Sequence, residues 1–129
     1  MSVYSYNRRE LLNDAKARPV VWMGDSRKRV RDFPSEVKKE IGVALFDVQM
    51  GTTPPDAKPF KGVGSGVFEI VTRHATNTYR TVYAVQIGSR VYVLHAFQKK
   101  SPKGIKTAEK EKDLIKRRYK QAVDMEKQR

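Results

Sequence analysis

The stretch VYVLHAFQKKS, residues 91–101, carries the most information about the fold. Before its charged end it is apolar apart from His95 and Gln98, and β-branched and aromatic side chains at this density are typical of a buried strand. The run ends abruptly in Lys99, Lys100 and Ser101. A strand held rigidly by a core fixes the position of the residues at its end. Together with Arg80 on the preceding strand-like run, these cations are predicted to offer several donors to a phosphate group.

Two further strand-like runs precede this stretch, and the three together predict an antiparallel meander. Each run is rich in Val, Ile, Tyr, Phe and Thr. Asn77 lies in the first connection, and Gly88-Ser89 makes the second short enough for a hairpin. Neighbouring strands joined by short connections usually pair. The runs cover residues 67–72, 79–87 and 90–97.

The segment before the meander predicts one short strand and two helices. Residues 20–23 follow Pro19 and are typical of a strand, after which Asp25 or Ser26 supplies the N-cap chemistry of a helix. Apolar residues then recur at spacings of three and four. They are Val30, Phe33, Val37, Ile41, Ala44, Leu45 and Val48. Pro34 interrupts this stripe, so we expect two consecutive helices, with Pro34 in the first turn of the second.

Prolines and a charged helix complete the order of elements. Several prolines between Gly51 and Pro59 end the helical region. Residues 106–128 carry a narrow apolar stripe among many charges, so this terminal helix is expected to pack on the body. The order predicts an α+β fold: an antiparallel sheet packed by two N-terminal helices and a C-terminal helix. We expect a single domain over residues 1–129, with 1–18 as an extension that can hold a short helix.

The charge balance favours an acidic partner. Lys and Arg total 27 against 14 Asp and Glu, a formal net charge of +13 on 129 residues. Such a charge favours nucleic acid, an anionic membrane or an acidic protein; the alternative is that lysine-rich helices only keep the protein soluble.

The residue inventory excludes several other classes. There is no cysteine, which removes disulfides, thiolate nucleophiles and cysteine zinc sites, and the two histidines are far apart in sequence. Residues 1–9 lack the apolar run of a secretion signal, and no stretch approaches the ~20 apolar residues of a membrane span. We therefore expect a soluble, cytoplasmic protein with no metal and no cofactor.

Several short motifs occur in order along the chain: VVWMGDS (20–26), FP (33–34), KPFKG (58–62), VFEI (67–70), YR (79–80), Tyr83 and LHAFQKKS (94–101). In this order they resemble the RelE/ParE/HigB superfamily of type II toxins, and within it the phage-derived, HigB-like Tad-type branch. The resemblance implies a RelE-like fold and a growth-inhibiting toxin that cleaves mRNA, usually on the ribosome. It also implies a helix-turn-helix antitoxin as partner.

RNA can be cut without a metal if its 2′-hydroxyl attacks the neighbouring phosphate, which requires a base, an acid and charge stabilisation. By the resemblance, Arg80 is the arginine that contacts the scissile phosphate; the alternative is a surface arginine paired with an acid such as Glu69. Lys99 and Lys100 fall where several relatives place a cation for transition-state or leaving-group stabilisation, and the alternative is solvated charge.

His95 titrates near neutrality and is a candidate general base or acid. Strict alternation predicts that Val91, Val93, His95 and Phe97 share one face of their strand, so the alternative is a hydrogen-bonded core histidine. The acid–base assignment stays open, because residues 69–71 are Glu, Ile and Val where some relatives carry cations.

Lys58, Lys61, Arg73 and His74 are the candidate RNA-binding residues. The two lysines flank Pro59-Phe60 before the sheet, and the other pair begins a polar loop. Contacts of this kind would make binding strongly salt-dependent. The glycine-rich run 61–66 lacks the ending of a P-loop and is interpreted as a flexible lead-in to a strand.

Two other functions remain open at this point. The ParE branch of the superfamily inhibits DNA gyrase without catalysis, which would make this chain a binder of a protein target. The third possibility is a basic nucleic-acid-binding module without toxicity. Tyr119, on the terminal helix where some relatives use a tyrosine as base, is predicted to point inward.

Overall fold

The computed structural model describes residues 17–99 and 105–129. Its elements are β1 (Val20–Trp22), α1 (Ser26–Arg31), α2 (Ser35–Gln49), β2 (Ala57–Pro59), β3 (Val67–His74), β4 (Asn77–Ala84), β5 (Val91–Lys99) and α3 (Ile105–Lys127). The predicted α+β class and the placing of the three helices are confirmed. The short helix expected near the start of the chain and Lys100 lie outside the described residues. None of the helices in these ranges combines the length and apolar character that a membrane crossing requires.

The sheet has the strand order β1-β5-β4-β3-β2. The meander β3-β4-β5 is antiparallel as predicted, and β1 adds to it in parallel beside β5. The short strand β2 was not predicted, because prolines normally interrupt a ladder. Pro59 is tolerated there because β2 lies at the edge of the sheet, where an N–H can be missing without breaking a central ladder.

Helices cover both faces of the sheet. On the first face, α1 and α2 bury a cluster that includes Val37, Ile41, Leu45, Ile70, Tyr83, Val91 and Val93. On the second face, α3 buries a cluster that includes Val67, Val82, Tyr92, Leu94, Phe97, Ile115 and Ala122. Every residue of β5 from Val91 to Phe97 is buried, so this strand is the rigid centre that its composition predicted.

A β-bulge on β5 overturns the predicted alternation of that strand. Val82 on β4 pairs with His95, but the next residue, Tyr83, pairs with Val93, so Leu94 is inserted without a partner. The insertion reverses the two faces beyond this point. Val93 therefore packs with α1 and α2, whereas His95 turns toward α3. The prediction that Val91, Val93, His95 and Phe97 share one face was wrong, because strict alternation assumes an unbroken ladder.

The starts of α1 and α2 differ from their predicted capping. Asp25 takes the N-cap position of α1, but its side chain makes no capping hydrogen bond. Ser26 instead begins the helix and donates its hydroxyl to the carbonyl of Val93 at 3.2 Å. Pro34 stands at the N-cap of α2 rather than inside its first turn, and its carbonyl accepts the Lys38 N–H at 3.0 Å. Two helices separated at Pro34 are confirmed.

The glycine-rich run 61–66 lies against α3 instead of leading freely into β3. A Cβ added at Gly64 would overlap the ring of Tyr119, and one at Gly62 would overlap the Lys112 side chain. These glycines therefore allow the backbone to approach the helix closely. Tyr119 packs against the second cluster, which confirms its predicted inward orientation.

Docking of α3 on the sheet should depend on Ile115, which has no exposed surface. Replacing it with Ala removes buried apolar contacts and leaves a cavity, at a cost of about 2–5 kcal/mol in the free energy of unfolding. The control is Val43→Ala on α2, where the side chain is 63% exposed and the change should stay within about 0.5 kcal/mol. Urea unfolding measures both, and equal losses would mean that α3 contributes no core.

Candidate active site

Cross-strand pairing sets three of the predicted cations close together. Arg80 on β4 lies opposite Phe97 on β5, and Thr78, two residues earlier, lies opposite both Lys99 and Arg73. Residues that oppose one another project to the same side of a sheet, and diagonal neighbours lie about 7–8 Å apart. Arg73 and Lys99 are exposed, whereas Arg80 is half-buried. The three cations thus form one compact group at the open end of the second face.

Glu69 fixes the position of Arg80. The Nη1 of Arg80 donates to Oε1 of Glu69 at 2.8 Å, and Lys58 Nζ lies 3.6 Å from the same oxygen. The Glu69 side chain is only 5% exposed, and a carboxylate at this depth requires a counter-charge. Arg80 keeps 22% of its side chain exposed although its Nε is buried, so the arginine is partly accessible from the surface. The ion pair with Glu69, which was the alternative interpretation of Arg80, is present in the structure. It orients the arginine.

We call this surface the cationic face: Lys58, Arg73, Arg80 and Lys99. Lys58 lies opposite Glu69, which in turn lies opposite Val82. Because Val82 packs in the second cluster, all three side chains project from the second face. Sequence reasoning named all four residues, but it did not anticipate that one buried carboxylate would hold two of them.

His95 is buried beneath α3, and both of its ring nitrogens have partners. Arg118 Nη1 lies 3.2 Å from Nδ1, and Nε2 forms a hydrogen bond with Glu111. A guanidinium can only donate, so Nδ1 accepts and the ring proton lies on Nε2, which donates to the Glu111 carboxylate. Burial lowers the pKa of His95; Glu111 opposes this shift, and Arg118 and Arg29 reinforce it. The imidazole is therefore neutral at pH 7.

Arg118 connects this histidine to α1. Its Nη1 also donates to the Leu94 carbonyl at 3.0 Å, and its Nη2 donates to Asp25 Oδ1 at 2.8 Å. Arg29 Nε donates to the other Asp25 oxygen at 2.9 Å. Burial disfavours the charged form of Asp25, but the two guanidinium groups outweigh it and lower its pKa to about 2. We call the connected side chains the polar clip: Arg29, Asp25, Arg118, His95 and Glu111.

Sequence reasoning found only His95 among the members of the polar clip. Asp25 was interpreted as a helix cap, and Arg118 and Glu111 were indistinguishable from the solvated charges of α3. Their spacing of seven residues puts both on one side of the helix, which is a signal that could have found them. That signal is weak in a helix with so many charges.

A cleft of about 610 Å³ opens beside the polar clip. β1 covers the outer edge of β5 only from Val91 to Val93, and beyond that point α1 packs beside the strand. The cleft lies between α1 and the start of α3, and its lining residues are Arg29, Asp32, Phe33, Phe97, Gln98, Lys110 and Glu111.

The remaining predicted residues lie apart from this surface. His74 pairs with Asn77 on the first face, where its Nδ1 lies 3.3 Å from a carboxylate oxygen of Glu36 on α2. Lys61 is exposed in the turn after β2. Lys100 follows Lys99 directly, outside the described residues. In residues 17–99 and 105–129, no group of three carboxylate or imidazole side chains is placed to hold a metal ion.

Comparison with protein families identifies the chain. Residues 28–120 match the family described as Phage derived protein Gp49-like (DUF891), from α1 through most of α3. The chain belongs to this family. It is a family of RelE/HigB-type toxins. Searches of curated proteins and of solved structures gave no significant match.

The neutral His95 predicts that this Gp49-like protein loses stability in mild acid. An unfolded histidine titrates near pH 6.5, and the folded pKa is lower. Below pH 6.5 the unfolded chain binds more protons, so the free energy of unfolding falls with pH until the folded pKa is reached. Asp25 also lowers the free energy of unfolding in acid, but only below its unfolded pKa of 3.8. Urea unfolding between about pH 7.5 and 5 should show this loss in the wild type and not in His95→Gln. Identical pH profiles would contradict the neutral, buried state of His95.

Removing Arg80 from the Gp49-like sheet should be costly because Glu69 stays buried. Arg80→Ala removes one partner of a buried ion pair, for which we expect a loss of about 3 kcal/mol in the free energy of unfolding. In Glu69→Gln/Arg80→Ala no buried charge remains, and the loss should be less than about half as large. Urea unfolding of the two variants tests this, and equal losses would mean that Glu69 does not depend on Arg80.

Proposed function

We propose that this Gp49-like protein is the toxin of a type II toxin–antitoxin system and a metal-independent endoribonuclease that cleaves mRNA on the ribosome. One observation carries the proposal: a buried carboxylate holds Arg80 at the centre of an exposed cationic face, with Arg73 and Lys99 as diagonal neighbours. The net charge of +13 supports a polyanionic partner, and membership of a toxin family supports growth inhibition.

The cationic face supplies the charge stabilisation that the reaction needs. The 2′-oxygen of the RNA loses its proton and bonds to phosphorus, and the bond from phosphorus to the 5′-oxygen breaks. The products are a 2′,3′-cyclic phosphate and, once the leaving oxygen has taken a proton from water, a 5′-hydroxyl. Arg80 and Lys99 are the proposed partners of the phosphoryl oxygens, where negative charge increases in the transition state. Lys100 is proposed for the same role from its position next to Lys99.

Proton transfer is assigned to Glu111, supported by His95. Glu111 lines the cleft with its side chain 22% exposed, and it accepts a hydrogen bond from the neutral His95. We propose that Glu111 takes the 2′-proton. His95, which has no exposed surface, then acts through Glu111 as a positioning residue rather than touching RNA.

The surrounding cations are proposed to hold the rest of the message. Lys58, Lys61 and Arg73 are suited to flanking phosphates, because phosphate contacts fix the register of a bound strand. His74 lies on the opposite face of the sheet and is left out of this path. From the motifs quoted above, we extend the proposal in three ways. The chain is assigned to the Tad-type branch, its partner is a helix-turn-helix antitoxin, and it acts in the cytoplasm.

The proposal is tested by inducing the protein alone in bacteria and mapping new RNA ends within minutes. We expect cuts inside translated messages, with cyclic phosphate and 5′-hydroxyl ends. Glu69→Gln/Arg80→Ala should be folded and should leave growth and messages intact. Lys39→Ala, an exposed lysine of α2 on the other side of the sheet, is the matched control and should remain toxic. Growth arrest with intact messages would refute the proposal and direct attention to a protein target such as DNA gyrase.

The role of Glu111 as general base can be tested by removing its charge. Glu111→Gln keeps the hydrogen bond to His95 but cannot take a proton, so cleavage should slow by about 10²–10⁴-fold. Glu109→Gln, two residues earlier on α3 and exposed, should cut at the wild-type rate. Single-turnover cleavage of a message on purified ribosomes provides the rates. Equal rates for the two variants would remove Glu111 from the chemistry.

A further inference from the structure

The cleft between α1 and α3 has aromatic surfaces that are held in place. Phe33 packs against Tyr79 with ring centroids 4.8 Å apart, and Phe97 stacks on His95 at 5.3 Å with 21° between the planes. Each ring is thus supported from behind by a second ring. Phe33 remains partly exposed. Phe97 is only 8% exposed and forms a wall of the cleft, so Phe33 is the ring that offers a face. Aromatic rings held in this way are surfaces on which unpaired nucleobases stack.

The charges of the cleft balance, in contrast to those of the cationic face. Arg29 and Lys110 are offset by Asp32 and Glu111. Three of these four already have partners outside the cleft: Arg29 pairs with Asp25, Asp32 with Lys28, and Glu111 with His95. A balanced, largely paired set of charges attracts a phosphate weakly, so the occupant should be a neutral group.

Gln98 supplies the polar recognition that such an occupant needs. Its side chain lines the cleft and is half-buried. A carboxamide offers both a donor and an acceptor, the combination that pairs with the edge of a base. The volume of about 610 Å³ lies within the range of small-ligand sites, about 300–1,000 Å³.

The cleft lies next to Arg80 of the cationic face. Phe97 lies directly opposite Arg80, so the ring in the cleft and the guanidinium on the cationic face belong to adjacent strands of one rigid sheet. Their Cβ atoms are therefore about 5 Å apart. We infer that the cleft binds one unpaired nucleobase of single-stranded RNA, whose backbone then crosses the cationic face. This inference deepens the proposed function and rests on it.

The test measures binding, so it does not depend on cleavage. The probes are a 2′-O-methyl RNA trinucleotide, which cannot be cut, and an abasic trinucleotide with the same phosphates. Calorimetric titration at one salt concentration gives the ratio of their affinities. Wild-type protein should prefer the base-bearing probe by about tenfold, the size of one stacking contact. Phe33→Leu and Gln98→Ala should reduce the preference toward one, whereas Phe46→Leu, on α2 and outside the cleft, should retain it.

Two further outcomes separate this inference from the proposed function. Glu69→Gln/Arg80→Ala should weaken both probes and leave their ratio unchanged, because Arg80 contacts phosphate only. A preference that persists although messages stay intact in cells would support the cleft and refute the ribonuclease. Equal binding of the two probes, a failure of both to bind, or a preference that Phe33→Leu leaves intact would overturn the nucleobase site, even if cleavage is found.

Discussion

The cationic face depends on one constraint, the burial of a carboxylate in the middle of a sheet. A carboxylate at 5% exposure requires a counter-charge, and the ladder places Arg80 beside Glu69, with Lys58 farther from the same oxygen. The pair is not saturated, since Glu69 Oε2 and Arg80 Nε have no hydrogen-bond partner among the described residues. An incompletely satisfied buried pair costs stability. This cost is understandable if the pair serves to aim a guanidinium at a substrate phosphate rather than to stabilise the sheet.

The bulge at Leu94 links the sheet to the C-terminal helix. If β5 alternated regularly through Leu94, His95 would share the face of Val93 under α1 and α2, away from Glu111. With it, the imidazole meets Arg118 and Glu111, and the polar clip joins α3 to α1. Bulges often re-aim side chains next to functional sites. Here the bulge turns His95 toward Glu111, the proposed base, which lines the cleft.

The regular part of this fold could be predicted from the sequence, and the irregular part could not. The meander and the helical stripe have periodic apolar residues, which is why β3, β4, β5, α1 and α2 were predicted. β2 has a proline, and the bulge lies in a strand buried on both faces, where no polar alternation marks which side a residue faces. The cationic residues were found from residue type and motif order. The polar clip was missed because its charges come from distant segments and look like ordinary surface on each.

If Arg80, held by Glu69, contacts an RNA phosphate, the salt dependence of RNA binding includes that contact. Affinity for a non-cleavable single-stranded RNA is measured over a range of salt concentrations for the wild type, in which Glu69 holds Arg80, and for Glu69→Gln/Arg80→Ala, which has the same net charge. Each phosphate contact contributes about 0.7 to the slope of log affinity against log salt. We expect a slope that is shallower by about 0.7 in the double variant. Equal slopes would show that Arg80 contacts no phosphate.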